Sequence, residues 1–402
     1  MIKVAVLGYG TVGSGVVEVI DRNNDIVSAN SGDKVEVKYI LDLRDFPGDP
    51  NESKLIHDVD VIMNDPEVSI VCETMGGVGA AYKFTKAALE KGKSVCSSNK
   101  ELVAKHGAEL MKVAKEHGCA YLFEASVGGG IPVLRTLTTA LTAERITQIA
   151  GILNGTTNFI LTKMEEEGAG FDETLKKAQD LGYAEKDPTA DIEGHDTARK
   201  ISILADIMSG HFVDSDKVHT VGITSIDKSD IALASKAGFK IRLLGIAERA
   251  EDDSVSAKVA PFLVKKGHPL AGVCDVFNAV FVTGNMLGET MYYGKGAGKL
   301  ATASAVVADV IDAARKGSST MYSGWDDEPV KARADAHDMR RFMVKFDEKD
   351  ADKAKALFEG AEEIGVSNGK FALITAPMDS PSFEDKFDSD NGIIDSWIEI
   401  YE

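Results

Sequence analysis

Residues 1–20 read MIKVAVLGYGTVGSGVVEVI. Ile2 to Leu7 is a mostly apolar run, as expected of a strand buried on both faces. It passes straight into Gly8-Tyr9-Gly10-Thr11-Val12-Gly13, after which Val16, Val17, Val19 and Ile20 continue as the apolar side of a helix. A lone GxGxxG is a weak signal. Between a strand and a helix each glycine has a physical reason. Gly8 permits the tight turn, Gly10 lets the backbone approach a pyrophosphate, and Gly13 allows close helix–strand packing. The helix N-terminus then faces the negative charge. The expectation is a dinucleotide-binding βαβ unit that holds NADP or NAD, with Thr11 and Val12 in the same loop; a merely structural glycine turn is the plain alternative.

The pattern repeats outward from there. A strand over 35–41 ends in Asp42-Leu43-Arg44. An acid at this place would bind the ribose 2′-OH of NAD and an arginine would accept the 2′-phosphate of NADP. Both residues are present, so NAD and NADP stay open. Strand-like runs over 69–74 and 94–96 flank a helical run over 80–91. This alternation predicts an α/β fold with a doubly wound, parallel, Rossmann-type sheet. Ligands of such sheets sit at the carboxyl ends of strands, which places Lys100 of the run SSNK to reach cofactor or substrate. Further on, Glu124 precedes Val127-Gly128-Gly129-Gly130-Ile131-Pro132. Glu124 with nearby carbonyls could hold a hard monovalent cation such as Na+ or K+; a tight interdomain turn is the plainer reading.

Residues 151–200 are the chemically unusual stretch. Asn154, Thr156, Thr157 and Asn158 surround Gly155 in an uncharged run, and Glu185, Asp187, Asp191, Glu193 and Asp196 crowd ahead of Lys200. Such a mixture suits a site that grips a small polar substrate. A helix over 194–210 has Ile201, Ile203, Leu204, Ile207 and Met208 on its apolar side. Asp196 and Lys200 are four apart and therefore neighbours. Steps of four from Lys200 reach Leu204 and Met208, which aligns the pair with the buried stripe rather than with solvent. A desolvated lysine beside a carboxylate is a proton donor in the making.

The chain has 402 residues, 44% hydrophobic and 27% charged, with a net charge of −19. That charge speaks against nucleic acid and anionic membranes as partners. No apolar run is long enough to span a membrane and no signal-peptide pattern precedes the first strand. Four cysteines without a CxxC pair fit a reducing cytoplasm and offer no zinc site. The expected organisation is a dinucleotide-binding domain over 1–132 with a return helix over 299–316, and an α+β substrate-binding and dimerisation domain over 133–298. A linker over 317–337 and a small αβ module over 338–402 complete it. In that module a strand over 341–346, a helix over 351–364 and strands over 371–376 and 393–401 are expected.

With these residues in hand, the chain resembles the homoserine dehydrogenases over roughly residues 1–316. The resemblance rests on the N-terminal GxGxxG, SSNKELVA, EASVGGGIP, GILNGTTNFILTKM and above all GYAEKDPTADIEGHDTARK. It implies NAD(P)-dependent interconversion of L-aspartate 4-semialdehyde and L-homoserine, in threonine, methionine and isoleucine biosynthesis, by a cytoplasmic homodimer. It implies Lys200 and Lys100 as catalytic residues, with Glu185, Asp196 and Asp191 binding substrate. Cofactor contacts are implied at Gly10, Thr11, Val12, Thr74, Ser98, Lys100 and Gly298, which join Gly8, Gly13, Asp42 and Arg44 read from the motif itself. A cation site is implied at Glu124, Val127, Gly129 and Ile131. Many members end in an ACT domain whose first loop reads Asp-x-Pro-Gly-Val. The matching run here is Phe346-Asp347-Glu348-Lys349-Asp350-Ala351, without the Pro-Gly. An ACT-like fold is expected and threonine binding is not. Two other readings stand beside it: a Rossmann oxidoreductase of another amino-acid aldehyde, and a catalytically dead nucleotide sensor. Intact Lys100, Glu185, Asp196 and Lys200 argue against the sensor.

Overall fold

The computed structural model describes residues 1–316, 325–333, 338–389 and 392–402. Two compact units emerge. The first comprises residues 1–146, 202–217 and 284–330, and the second residues 147–201, 218–283 and 331–402. Parts of the expected linker, 317–324 and 334–337, lie outside the described residues.

The first unit is built on strands β1 (Ile2–Leu7), β2 (Val35–Leu41), β3 (Leu55–Ile56), β4 (Val68–Glu73), β5 (Ser94–Ser97) and β6 (Tyr121–Leu122). They pair in the order β3-β2-β1-β4-β5-β6, every pair parallel. This is the doubly wound order, and its switch point lies between β1 and β4. Val4 to Leu7 and Ile70 to Cys72 are buried, so both central strands are enclosed on both faces. Helices Thr11–Arg22, Gly79–Glu90, Lys100–Glu116 and Lys299–Lys316 belong to this unit. Gly15 explains how closely the last of them packs: a Cβ there would lie 2.7 Å from the Lys299 carbonyl oxygen.

The second unit contains β7 (Ile146–Ile152), β8 (His219–Thr220), β9 (Phe239–Arg249), β10 (Val255–Lys265) and β11 (Phe277–Gly284). Strand β12 (Gly288–Lys295) follows β11 in the chain. The second unit also holds the C-terminal strands β13 (Phe342–Asp347), β14 (Glu362–Ser367), β15 (Lys370–Ile374) and β16 (Ile394–Tyr401). The order runs β11-β7-β9-β10-β16-β13-β15-β14, with β8 beside β10. Strands β9 and β10 form the long antiparallel spine. Ile152, Leu244, Ile246, Phe262, Val264 and Phe281 make its core, and Tyr401 from the C-terminal strand joins the same cluster.

The C-terminal segment folds as strand, helix, two strands, helix, strand, with β14-β15-β13-β16 side by side. The helix expected over 351–364 stops at Leu357. Gly360 turns the chain with φ +79, and Glu362–Ser367 becomes a strand instead. Four strands are therefore present where the sequence predicts three. The segment does not stand apart from its unit: Phe262, Leu263 and Val264 of β10 pair in parallel with Glu399, Ile400 and Tyr401 of β16.

Candidate active site

In the first unit the glycine loop has the geometry its sequence demands. Gly8 adopts φ +90. A Cβ on Gly13 would fall 1.8 Å from the Gly8 carbonyl oxygen, so no other residue fits. Around Gly10 nothing lies within 4 Å of where a Cβ would be, and Gly10 caps helix Thr11–Arg22 with no side-chain acceptor on its amides. The loop thus leaves room and donors for a pyrophosphate. Thr74, at the end of β4, donates its hydroxyl to the carbonyls of Leu7 (2.9 Å) and Gly8 (3.0 Å), locking the two strand ends at the switch point together.

Asp42 and Arg44, the two competing signals for cofactor type, are bonded to each other. Arg44 Nε donates to Asp42 Oδ1 at 3.0 Å and Nη2 to Oδ2 at 3.1 Å. Asp42 also accepts the Tyr9 amide at 2.7 Å. Arg44 beside it, more than any other group, holds the Asp42 carboxyl well below the usual carboxylate range. The guanidinium lies 5.0 Å from the Phe46 ring centroid and is otherwise exposed.

Lys100 is the first residue of helix Lys100–Glu116 and is half-buried. Asn99 caps that helix, its Oδ1 accepting the Leu102 amide at 3.1 Å. Ser98 is half-buried and its amide donates to the Glu73 carbonyl at 3.1 Å. Thr11 and Gly298 are exposed, Gly298 with φ +122 before the helix Lys299–Lys316. Val12 is half-buried within the first turn of its helix.

The Glu124 carboxylate is already engaged. Its Oε1 accepts the Leu134 amide at 3.0 Å and its Oε2 the Arg135 amide at 2.6 Å. Burial pushes its pKa up. Behind it, Asp309 accepts the Glu124 amide and an Arg135 Nη2 bond, at 2.9 and 2.8 Å. Gly128 and Gly129 take φ +72 and +54. The Ile131 carbonyl accepts the Val133 amide, while the carbonyls of Val127 and Gly129 meet no donor among the described residues. Two open carbonyls in a glycine turn suit a hard cation; the Glu124 carboxylate serves the backbone instead.

The expected helix runs His195–Ser209, with residues up to Ile201 in the second unit. Asp196 is 3% and Lys200 8% exposed, in line with buried Leu204 and Met208, as the spacing demanded. Lys200 Nζ donates to Asp196 Oδ2 and to the Leu153 carbonyl, both at 2.7 Å. Asn154 completes the arrangement. Its Nδ2 reaches Asp196 Oδ2 at 2.9 Å and Asp191 Oδ1 at 2.7 Å, while its Oδ1 caps helix Gly155–Glu167 through the Thr157 amide. One buried amide thus joins both acids. Gly155 sits where a Cβ would lie 2.8 Å from the Val276 carbonyl, so the helix entry is held tight against that turn.

Glu185 is placed differently. Its side chain is exposed and joins none of these bonds, its carbonyl accepting from Gln179 at 3.2 Å. The loop carrying it is tied down next door, where Thr156 donates to the Tyr183 carbonyl at 2.7 Å and Tyr183 packs edge-on to Phe159. Sequence reasoning noted Asn154 and Thr156 as polar outliers but gave them no role. The Leu153 carbonyl carried no side-chain signal at all.

Two family models match the chain: homoserine dehydrogenase over residues 132–311, and the homoserine dehydrogenase NAD-binding domain over residues 8–124. Homoserine dehydrogenase of Bacillus subtilis (strain 168) is 45% identical over 314 residues, spanning 77% of this chain and 72% of that protein. The crystal structure of a homoserine dehydrogenase from Thiobacillus denitrificans aligns with TM-score 0.89 at 34% identity, covering 100% of this chain and 98% of that one. A hyperthermophilic archaeal homoserine dehydrogenase in complex with NADPH aligns with TM-score 0.65 at 28% identity, covering 78% of this chain and 97% of that one.

Proposed function

The chain belongs to the homoserine dehydrogenase family, and on that premise we propose that it interconverts L-aspartate 4-semialdehyde and L-homoserine, in threonine, methionine and isoleucine biosynthesis. The observation that carries the proposal is the buried Asn154–Asp196–Lys200 arrangement. A bound nicotinamide cofactor supplies the hydride to the aldehyde carbon, or takes it back from the alcohol. As the carbonyl oxygen gains negative charge, the Lys200 ammonium gives it a proton; in the oxidative direction the same nitrogen, as free amine, receives one. Asp196 and the Leu153 carbonyl orient that nitrogen, and Asn154 fixes Asp196. Lys100 is the second catalytic group of the proposal. Glu185 and Asp191 are proposed to bind the substrate amino group and its surroundings; Glu185 is free to swing because its side chain is exposed.

NADP and NAD are both proposed cofactors. The relative in complex with NADPH and the exposed Arg44 guanidinium favour NADP, while Asp42 at the ribose position favours NAD. A monovalent cation, Na+ or K+, would be held by the carbonyls of Val127 and Gly129, with Ile131 and Glu124 behind them. The C-terminal residues 338–402 are proposed as an ACT-like regulatory module, which the strand–helix–strand–strand–helix–strand order supports. Without the Pro-Gly in its first loop, threonine inhibits weakly or not at all. The enzyme is proposed to work in the cytoplasm as a homodimer, the common symmetric state.

The test is homoserine oxidation followed with NAD and NADP separately, in monovalent salt, for the parent and for Lys200→Ala. The parent is expected to reduce at least one cofactor, and Lys200→Ala to lose about 10²–10⁴-fold in kcat. No turnover by folded parent with either cofactor would overturn the assignment.

A further inference from the structure

Glu73 is the last residue of β4 and is fully buried, at the switch point of the parallel sheet. A carboxyl group in such a place needs a reason, since burial without partners is costly. Its two oxygens have separate tasks. Oε1 accepts the Met75 amide at 2.8 Å and so shapes the turn that follows Thr74. Oε2 accepts the Ser97 hydroxyl at 2.6 Å, at the end of the neighbouring strand β5. Ser97 Oγ in turn accepts the Asn99 amide at 3.1 Å. Asn99 Nδ2 reaches back to the Gly77 carbonyl at 2.7 Å, while its Oδ1 caps the helix that Lys100 opens. The chain of bonds therefore closes on itself: Glu73, Met75 and Gly77 on one loop, Ser97, Asn99 and Lys100 on the other.

We infer that Glu73 is a positioning residue for Lys100, acting through Ser97 and Asn99 to set the start of the Lys100–Glu116 helix against the loop that carries Thr74. The inference rests on the proposed role of Lys100 and adds a residue to it. Its physical basis is that Lys100 is the first helical residue, so its backbone direction follows from the cap. The cap is aligned by two bonds from Asn99 to the opposite loop and by the Ser97 hydroxyl beneath it. Glu73 holds both that hydroxyl and the opposite loop's Met75 amide. Nothing in this arrangement requires Glu73 to meet a ligand; it acts at a distance of two hydrogen bonds. Glutamine keeps the shape, its oxygen can accept the Met75 amide and its Nε2–H can donate to the Ser97 hydroxyl oxygen, so it should largely replace the carboxyl group.

The experiment is a double-mutant cycle in the full-length enzyme. Lys100→Ala, Glu73→Ala, Ser97→Ala and Glu73→Gln are made singly, and Glu73→Ala and Ser97→Ala are also made in the Lys100→Ala background. Expected is a kcat loss of about 10- to 100-fold for Glu73→Ala and Ser97→Ala, the usual scale of a small misplacement. KM for homoserine should stay within about twofold, and the further loss in the Lys100→Ala background should be under about twofold. Glu73→Gln should recover kcat to within about threefold of the parent. If Glu73→Ala fails to fold, Ser97→Ala carries the test. Losses that are as large without Lys100 as with it would overturn the inference, as would parental kcat in Ser97→Ala. If Lys100→Ala itself kept parental kcat, the assigned role of Lys100 would fall and this inference with it; a Lys100→Ala loss alongside unaffected Ser97→Ala sinks only the inference.

Discussion

Lys345 Nζ lies 2.9 Å from Asp230 Oδ1, with the two side chains 3% and 1% exposed. One belongs to β13 of the C-terminal segment and the other to the helix Lys228–Lys236. Lys345 also reaches Asp227 at 2.9 Å, and Asp227 and Asp230 form the capping box of that helix. Burial pulls the Lys345 pKa down, and the carboxylates of Asp230 and Asp227 more than reverse it. Lys345→Met should therefore destabilise by about 3–5 kcal/mol, because it strands the buried Asp230 carboxylate. Replacing Asp230 by Asn in the same chain should recover part of that. Urea unfolding at pH 7 checks both, and an unchanged midpoint for Lys345→Met would show the pair to be slack.

Deleting residues 338–402 should reduce solubility. The deletion removes β16 from β10, takes Tyr401 out of the core, and strips Arg340 from half-buried Glu248 and Glu399 from Lys258. An unpaired apolar edge strand invites association. Light scattering of the truncated chain should show aggregates; a well-behaved truncated enzyme would contradict this.

Asn154→Ala should cost both folding and rate. Loss of the cap on helix Gly155–Glu167 is worth about 1 kcal/mol. Loss of the amide bridge removes the bonds that tie Asp196 to Asp191, and kcat should fall about 10- to 100-fold. Cofactor affinity, measured by fluorescence titration, should hold, since Asn154 belongs to the other unit.

Arg44→Ala tests the pairing with Asp42. Removing the guanidinium should raise KM for NADP by about tenfold, the scale of one charge-assisted bond to a 2′-phosphate. KM for NAD should stay or improve, because Asp42 is released from its partner. Equal changes for both cofactors would assign the pair a purely structural role.

The buried Glu73 gives a pH signature. Its folded pKa is raised from 4.5 to about 7, mainly by burial. Between those values the folded state holds a proton that the unfolded chain releases. Stability therefore falls as pH climbs through this window, by about 3 kcal/mol at full extent. Glu73→Gln cannot ionise, so its stability relative to the parent should rise between pH 5 and 8. Parallel pH–stability curves for the two proteins would show the carboxyl to be less enclosed than it is here.

Much of this molecule was readable because its signals are local. Gly8, Gly10 and Gly13 sit in one loop, and Asp196 and Lys200 lie one turn apart on a helix whose stripe announced their burial. What escaped was non-local. Glu73 reads as one more residue of a strand until Ser97 is brought beside it, 24 positions away. Asn154 reaches Asp196 across 42 positions, and the lysine's second anchor is a backbone carbonyl that no side chain advertises. Strand β14 was hidden for another reason. The sequence before it is helical in composition, and only the turn at Gly360 separates the two. Asp42 and Arg44 look like alternatives in the sequence; in space they are partners.

The pairing of β10 with β16 also has a consequence for synthesis. Lys258 and Glu399, which meet at this seam, are separated by 141 residues of chain. At ribosomal rates of about 5–20 residues per second, the exposed side of β10 waits roughly 7–28 seconds for the strand that covers it. During that interval a row of unsatisfied amides and carbonyls, flanked by Phe262 and Val264, is presented on a growing chain. Nascent copies on one message carry the same open edge, so slower translation of the final third should lower the yield of soluble enzyme.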